Sequence, residues 1–297
     1  MKGFYNRILT IDLTCQKSII QKMDDDVYAK YLGAKGLCSK LLYDLNPPNV
    51  DPLSPDNHLI FSTGSAAGTQ TWGSSRYGVF TKSPLTGFYL ESYSGGKAPE
   101  AISATGFDAI ILKGKANRLS ALEIIEDKVI FHEDQFLKGK DTFETEKRLK
   151  EQYIKSSSQK MKTGIVVIGP AGEQGIAFAS IKNDGWRFAG RGGAGAVLGS
   201  KNIKAIIFRG NKKRSIHDPV ALSQMAKDLA SESKESMVVR AYKSKGTSQM
   251  VRVMNSVKGF PSGYWENGSC DHFEKISAEA LHDRCDVTPH ACAKCFL

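Results

Sequence analysis

The sequence predicts an α+β fold: a pseudo-symmetric domain built from a duplicated β-sheet unit over residues 1–210, then the start of a mainly helical domain over 211–297. Three observations carry this. Tyr89–Gly114 reads as strand, glycine turn, helix, strand and ends Asp-Ala-Ile-Ile-Leu-Lys-Gly; Ala177–Gly210 repeats that order and ends Lys-Ala-Ile-Ile-Phe-Arg-Gly. Beyond Val220 apolar residues recur at helical spacing, as in Ala221, Leu222, Met225 and Leu229, then Val238, Val239, Met250, Val251 and Met254. Overlapping the second of these repeats is Ile176–Asn202, a glycine-rich stretch carrying Arg187 and Arg191 and flanked by apolar, strand-like runs.

The elements follow in order. Tyr5–Leu13 alternates like a half-buried strand, and Lys17–Ile20 follows across a short turn. Asp26 is the expected cap of a helix reaching Leu32, Gly33 and Gly36 mark a break, and a second helix through Leu37–Leu42 ends before Pro47-Pro48. His58–Thr63 is a strand, and Gly64–Ser75 a loop ending at Arg76. Strands are expected at Tyr77–Lys82 and Gly87–Ser92, with Ser94-Gly95-Gly96 opening a short helix that closes into Phe107–Leu112. Leu122–Ile125 and Lys128–His132 form a hairpin around Glu126-Asp127, and Asp141 caps an amphipathic helix to about Gln152. Lys155–Lys162 reads as a loop, Gly164–Ile168 as a buried strand, and Ile203–Phe208 as the last strand. Ile276–Leu281 reads as a short helix leading into a cysteine cluster.

The glycine stretch has a chemical reading. Glycine permits φ > 0 and close approach of a ligand to the main chain, so that N–H groups can face an anion, and arginine offers a rigid cationic fork suited to phosphate. Gly193-x-Gly195-x-x-x-Gly199 resembles a dinucleotide fingerprint, yet the preceding strand ends far upstream and no acidic partner follows at the expected place. Gly199-Ser200-Lys201 reverses the order a phosphate loop requires. A purely structural glycine turn and a seat for a large anionic cofactor both remain, and Ser94–Gly96 is a second candidate for such a seat.

A net charge of +10 admits nucleic acid, an anionic cofactor or a solvated basic surface. The basic residues are scattered, with small clusters at Lys212-Lys213-Arg214 and Lys243-Ser-Lys245 and no interleaved aromatics, which argues against nucleic acid. No run is long and apolar enough for a membrane span or leader, so the expected location is cytoplasmic. Cys15 and Cys38 sit in apolar company and read as core residues, while Cys270, Cys285, Cys292 and Cys295 crowd the end of the chain. His290-Ala-Cys292-Ala-Lys-Cys295 places two thiolates on one turn, close enough for one metal or cluster; a zinc site with Cys270 and Cys285 is the alternative.

Several long motifs in series resemble the tungsten-containing aldehyde ferredoxin oxidoreductase family. They are Arg76-Tyr-Gly-Val-Phe-Thr-Lys-Ser-Pro-Leu-Thr-Gly-Phe88, Ser94-Gly95-Gly96, Gly106-Phe-Asp-Ala-Ile-Ile, Ile168-Gly-Pro-Ala-Gly-Glu173, Asn183-Asp-Gly, and the whole run from Arg187 to Asn202. The resemblance runs from Gly3 to the final Cys-x-x-Cys. It implies a pterin-binding N-terminal domain on which two pyranopterin phosphates, bridged by Mg2+ and holding tungsten or molybdenum, would lie beside a [4Fe–4S] cluster. Arg76 matches an arginine between pterin and cluster. Tyr93, Ser94, Gly95 and Gly96, with Arg187, Phe188, Ala189, Gly190, Arg191 and Gly192, match pterin and phosphate contacts, Phe188 through its carbonyl towards magnesium. At Tyr93 the family pattern has asparagine, a better magnesium ligand than a neutral phenol. Cys292 and Cys295 match the first two cluster ligands, and the third would fall beyond Leu297.

The resemblance implies oxidation of an aldehyde to a carboxylate, with electrons passing to ferredoxin or another iron–sulfur carrier. It places no catalytic residue in this chain. The chain is expected to be the N-terminal portion of such an enzyme, inactive alone and completed by a separate C-terminal half or a homodimer partner. A non-catalytic pterin-binding or assembly protein and an NAD(P)-binding enzyme are the alternatives.

Overall fold

The computed structural model describes residues 1–154 and 160–295. Of the loop expected at Lys155–Lys162, residues 155–159 lie outside the described residues, and Lys162 opens a strand.

The first repeat contains β1 (Arg7–Asp12), β2 (Lys17–Lys22), α1 (Asp25–Tyr31), α2 (Lys35–Leu45), β3 (Leu59–Thr63), β4 (Tyr77–Lys82), β5 (Tyr89–Ser94), α3 (Ala98–Ala104) and β6 (Ala109–Lys113). The second contains β7 (Ser120–Ile125), β8 (Lys128–His132), α4 (Thr142–Leu149), β9 (Lys162–Val167), α5 (Pro170–Glu173), β10 (Ile181–Asn183), β11 (Arg187–Ala189), α6 (Ala194–Ser200) and β12 (Ile203–Gly210). Among the described residues these strands make two six-stranded sheets, ordered β2-β1-β6-β3-β4-β5 and β8-β7-β12-β9-β10-β11.

The orders superpose position for position, and so do the directions. β1 runs parallel to β6 as β7 does to β12, and the remaining neighbours are antiparallel in both sheets. Helices α3 and α6 start at Ala98 and Ala194, and strands β6 and β12 pass Ala109 and Ala205 at the same interval. The duplication seen in two short stretches of sequence therefore extends over the whole domain.

The core is layered. The inner faces of both sheets enclose α3 and α6 in one apolar cluster that includes Leu9, Phe61, Val79, Ile102, Val166, Val197 and Phe208. The outer face of the first sheet packs on Tyr28, Leu37 and Leu41 of α1 and α2, and that of the second on Leu137 and Leu149. Strands covered on both faces need continuous apolar runs, which Ile110-Ile-Leu112 and Ile206-Ile-Phe208 supply.

Some elements differ from expectation. β5 lies two residues later than predicted, because its ladder with β4 runs from Tyr77↔Ser94 to Lys82↔Tyr89 and leaves Gly87 in the turn at φ 74°. Tyr93 and Ser94 are thus strand residues. Strand β10 begins only at Ile181 and β11 follows at Arg187, so strand residues come closer to Gly193 than the sequence reading expects. Gly36 lies inside α2, and Asp24, not Asp26, stands before α1. Asp141 does cap α4, accepting from the amides of Phe143 and Glu144 at 2.8 Å each. Cys38 is buried, but Cys15 is exposed in the β1–β2 turn, where its amide donates to Asp12 Oδ1 at 3.2 Å.

Met1–Pro219 with Cys292–Lys294 form one compact unit, and Val220–Ala291 with Cys295 a second. Asn211–Pro219 stays with the sheets because Arg214 is buried there, bound to Asp108 at 2.6 Å and to Thr63 Oγ1 at 2.8 Å. The second unit contains α7 (Pro219–Glu235), α8 (Met237–Lys245), α9 (Met250–Ser256) and α10 (Ala278–Arg284). Ser236 and Ser277 cap α8 and α10, accepting from Val239 N and Ala280 N. No helix among the described residues is long and apolar enough to cross a membrane.

Candidate cofactor site

The candidate residues converge where the ends of β5 and β11 meet. Asn183, the last residue of β10 and fully buried, is the hub of that junction. Its Nδ2 donates to the Gly95 carbonyl at 2.9 Å and to Asp184 Oδ2 at 2.8 Å. Its Oδ1 accepts from Ser94 Oγ at 2.7 Å and from the Tyr77 hydroxyl at 3.0 Å. An amide can make four such bonds, and here all four are made. Burial pushes the Tyr77 hydroxyl well above the usual phenol range, so it stays a donor.

Asp184 follows in the left-handed conformation at φ 48° and turns its carboxylate back to α3. Its Oδ2 accepts from Lys97 N at 2.6 Å and Ala98 N at 2.9 Å. These amides open α3 directly after Ser94–Gly96, the candidate anion seat of the first repeat, and a carboxylate of the second repeat occupies them. Gly96 must be glycine for this contact, since its φ is +98° and a Cβ there would strike Asp184 Oδ2.

On the other side of the turn, a Cβ at Gly95 would stand 2.7 Å from Cys292 Sγ and 3.4 Å from Arg76 Nη1. Thiol and guanidinium therefore approach one another over a bare main chain. The cysteine segment is held there by its backbone: Ala293 N donates to Gly96 O at 3.1 Å, and Gly73 N to Lys294 O at 2.8 Å. Ser75 Oγ also donates to Gly96 O at 2.8 Å. Cys292 is thus seated beside Arg76 and Gly95, while Cys295 is exposed and belongs to the second unit. Among the described residues no three His, Cys, Asp or Glu side chains converge on a metal position.

The second glycine turn abuts the first. Arg191 N donates to Ser92 Oγ at 3.0 Å, and Ser83 Oγ to the Gly192 carbonyl at 2.7 Å, so both lean on the β4–β5 hairpin. Arg76, Gly190 and Arg191 are exposed, Phe188 is 47 % exposed, and Ala189 is buried. On β10, Lys182 is buried against Glu146 of α4 at 3.0 Å, and Glu146 Oε2 also accepts from Gly185 N, which anchors the Asp184-Gly185 turn.

Tyr93 departs from its expected part. It alternates with Ser92 and Ser94, so its ring lies on the opposite face of β5, edge-on to Phe80, and its hydroxyl donates to Glu91 Oε2 at 3.2 Å. Burial and the neighbouring carboxylate hold that phenol neutral. Sequence reasoning missed Asn183 and Asp184 as the residues joining the two turns. Asn183-Asp-Gly is a turn signature, but nothing local says which main chain its side chains reach.

Glycine turns bare of Cβ atoms beside exposed Arg76 and Arg191 fit a ligand carrying phosphates and a planar ring system. The donor set does not make up a metal cluster by itself among the described residues.

Fold and site together define a duplicated-sheet base that presents arginines and glycine turns along one junction. Residues 8–210 match the family model described as aldehyde ferredoxin oxidoreductase, N-terminal domain, and residues 224–297 that for its domains 2 and 3. The chain belongs to the aldehyde ferredoxin oxidoreductase family. It is 35 % identical over 296 residues to the tungsten-containing aldehyde ferredoxin oxidoreductase of Pyrococcus abyssi, covering 99 % of this chain and 48 % of that protein. The aliphatic sulfonate oxidoreductase WOR-like subunit of Pyrococcus furiosus is 30 % identical over 221 residues, 71 % of this chain and 35 % of that protein. Among solved structures, the active-site complex BamBC of benzoyl coenzyme A reductase with 1,5-dienoyl-CoA superposes with a TM-score of 0.82 at 28 % identity, over 99 % of this chain and 46 % of its own. The chain spans about half the length of the curated relatives it matches.

Proposed function

We propose that this chain is the cofactor-bearing base of a tungsten- or molybdenum-pterin oxidoreductase that oxidises aldehydes to carboxylates and delivers electrons to ferredoxin. The observation that supports this best is the convergence of Arg76, Gly95 and Arg191 on one junction between the two repeats, in a chain of this family. When bound, the metal and its pterin dithiolenes supply the two-electron redox change. The chain's own residues bind and orient: Arg76 would lie between pterin and cluster, Arg187 and Arg191 would meet pterin phosphates, and Ser94–Gly96 and Phe188–Gly192 would present main chain to the ring systems and to magnesium. Tyr93 would contribute main chain only, because its hydroxyl is given to Glu91.

Cys292 and Cys295 are the proposed contribution to a [4Fe–4S] cluster, whose other ligands are not among the described residues. A benzoyl-CoA reductase complex shares the fold, so the base would specify the cofactor and leave substrate choice to residues elsewhere.

The test is anaerobic purification of the chain from a host supplied with tungstate, with metal, pterin, phosphate and iron measured per chain. Pterin and tungsten or molybdenum in the wild type, lost in Arg76→Glu/Arg191→Glu, support the reading. A chain with neither, or one with bound nicotinamide, overturns it. Pterin bound without oxidoreductase activity in a complex with any C-terminal partner would favour a binding or assembly role.

A further inference from the structure

Two polar side chains cross between the repeats beside the β5–β11 junction, and they do so reciprocally. Ser83 and Asp184 each stand first in the hairpin turn after their strand, β4 in the first repeat and β10 in the second. Each reaches the glycine turn of the other repeat. Asp184 Oδ2 accepts from Lys97 N and Ala98 N and lies against Gly96, where a Cβ would strike it. Ser83 Oγ donates to the Gly192 carbonyl at 2.7 Å, and a Cβ at Gly192 would stand 3.4 Å from it. Gly96 and Gly192 are equivalent positions. Each lies two residues before its helix, which starts at Ala98 or Ala194, and each is at positive φ, 98° and 67°.

Both side chains are aimed by their own turns. Ser83 Oγ accepts from Leu85 N and Thr86 N at 3.1 Å each, which leaves its proton for Gly192. Asp184 is at φ 48°, the next amide, Gly185 N, is held by Glu146 Oε2 at 3.2 Å, and Asn183 Nδ2 donates to the same Asp184 oxygen at 2.8 Å. Neither crossing bond belongs to a strand ladder, so the pairing of both hairpins stands without it.

We propose that Ser83 and Asp184 are positioning residues: each repeat fixes the glycine turn of the other, and the two crossing contacts together set the spacing of the turns. The inference rests on the cofactor reading above, in which Ser94–Gly96 and Phe188–Gly192 would carry a two-part pterin cofactor. Such a ligand engages both turns at once, so a turn free to shift on either side weakens the hold on the whole of it. Ser83 and Asp184 act through the main chain of Gly192 and Gly96.

The test compares the whole chain as wild type, Asp184→Ala, Asp184→Asn, Ser83→Ala and Leu37→Ala, the last a truncation in the core under the outer face of the first sheet. In the unloaded chain, amide exchange is read by NMR at two amides whose own bonding partners are untouched. Ala293 N, bonded to Gly96 O, should exchange about tenfold faster in Asp184→Ala, and Arg191 N, bonded to Ser92 Oγ, about tenfold faster in Ser83→Ala. In the chain loaded anaerobically from a tungstate-supplied host, release of pterin on dilution should quicken about tenfold in both alanine variants. Asp184→Asn keeps an acceptor for the Lys97 and Ala98 amides and should return both readings towards wild type. Leu37→Ala should lower the urea midpoint and leave pterin release unchanged. Circular dichroism checks that every variant is folded. Exchange and release equal to wild type in both alanine variants, or release from Leu37→Ala as fast as from them, overturns the proposal. Quickened exchange in a chain that takes up no pterin would uphold the crossing clamp and overturn the cofactor reading instead.

Discussion

The side-chain amide of Asn183 donates to the main-chain carbonyl of Gly95 at 2.9 Å, tying the second repeat to the glycine turn of the first. Both residues are buried, and the Asn183 carbonyl oxygen simultaneously receives the Ser94 and Tyr77 hydroxyls. Replacing Asn183 by leucine keeps the volume but strands several buried polar groups. A buried unsatisfied group costs about 1–3 kcal/mol, so Asn183→Leu should lower stability by about 2–4 kcal/mol, read as a lower urea midpoint. Asn183→Asp keeps the acceptor but loses the donors and sets a second carboxylate against Asp184. It should be at least as damaging, and a neutral outcome for both would show that the junction is held by packing alone.

Gly95 has a second tie, to the cysteine segment. A methyl group at residue 95 would stand 2.7 Å from Cys292 Sγ, too close for any real contact, and the softer of the two surfaces should yield. That is the Cys292–Lys294 segment, held by the two main-chain bonds to Gly96 and Gly73. Gly95→Ala should therefore leave the sheets intact while raising the rate at which iodoacetamide alkylates Cys292, by about threefold or more if the thiol loses one covered side. Peptide mapping by mass spectrometry measures this site by site, with buried Cys38 as the silent control. An unchanged rate would show that the thiol is already mobile over Gly95.

How far the sequence reached can be judged from these same residues. The duplication was legible because Asp108–Gly114 and Lys204–Gly210 are similar and each repeat must place an apolar strand in a doubly covered sheet position. The arginine and glycine turns were legible because few structural needs combine those residue types. The two-residue offset of β5 was not, since Gly87–Ser92 and Tyr89–Ser94 alternate almost equally well and only the pairing with β4 chooses between them. Nor could local sequence show that Asp184 fills the start of α3, because that contact joins residues of different repeats. Tyr93 was assigned by motif position, and the alternation of β5 turned its ring to the other face.

Below neutrality the weak point should be His58. Its Nδ1 lies 2.8 Å from Asn46 Oδ1, and burial first, then the Lys201 and Lys113 ammonium groups, push its pKa down to about 4 from 6.5. An unfolded chain takes up the proton from pH 6.5 downwards, whereas the folded chain refuses it until about 4. Stability should fall as pH drops across that window. His58→Gln, which can still donate to Asn46, should flatten this part of the profile of thermal midpoint against pH. A His58 C2 proton shift titrating near 6.5 in the folded chain would remove the basis for this.

The alkaline side should be governed by Lys201. Its side chain is fully buried, and among the described residues Nζ donates only to carbonyls, those of Pro55 at 3.1 Å and Gly114 at 3.2 Å. Burial pushes its pKa down to about 8 from 10.5, with Asp56 opposing weakly. Below pH 8 both folded and unfolded chains carry the proton, and the folded state bears the full cost of a poorly solvated ammonium. Between about 8 and 10.5 the folded chain has released a proton that the unfolded chain still holds, so stability should rise with pH, by up to about 3 kcal/mol. Other ionisations will weaken the fold in the same range, so the informative quantity is the difference between wild type and Lys201→Met. Methionine fills the space without a charge, and the Pro55 carbonyl keeps its bond from Gly114 N at 3.0 Å. The variant should be more stable than wild type at pH 7, and its advantage should shrink steadily towards pH 10.5. It should also lift the His58 pKa, since a neighbouring cation that disfavours the imidazolium is gone. Urea midpoints of the two proteins at matched pH values give the first result and the His58 titration the second. A constant difference across the alkaline range would mean that Lys201 stays protonated in its carbonyl cradle and stabilises the seam between the repeats as a cation.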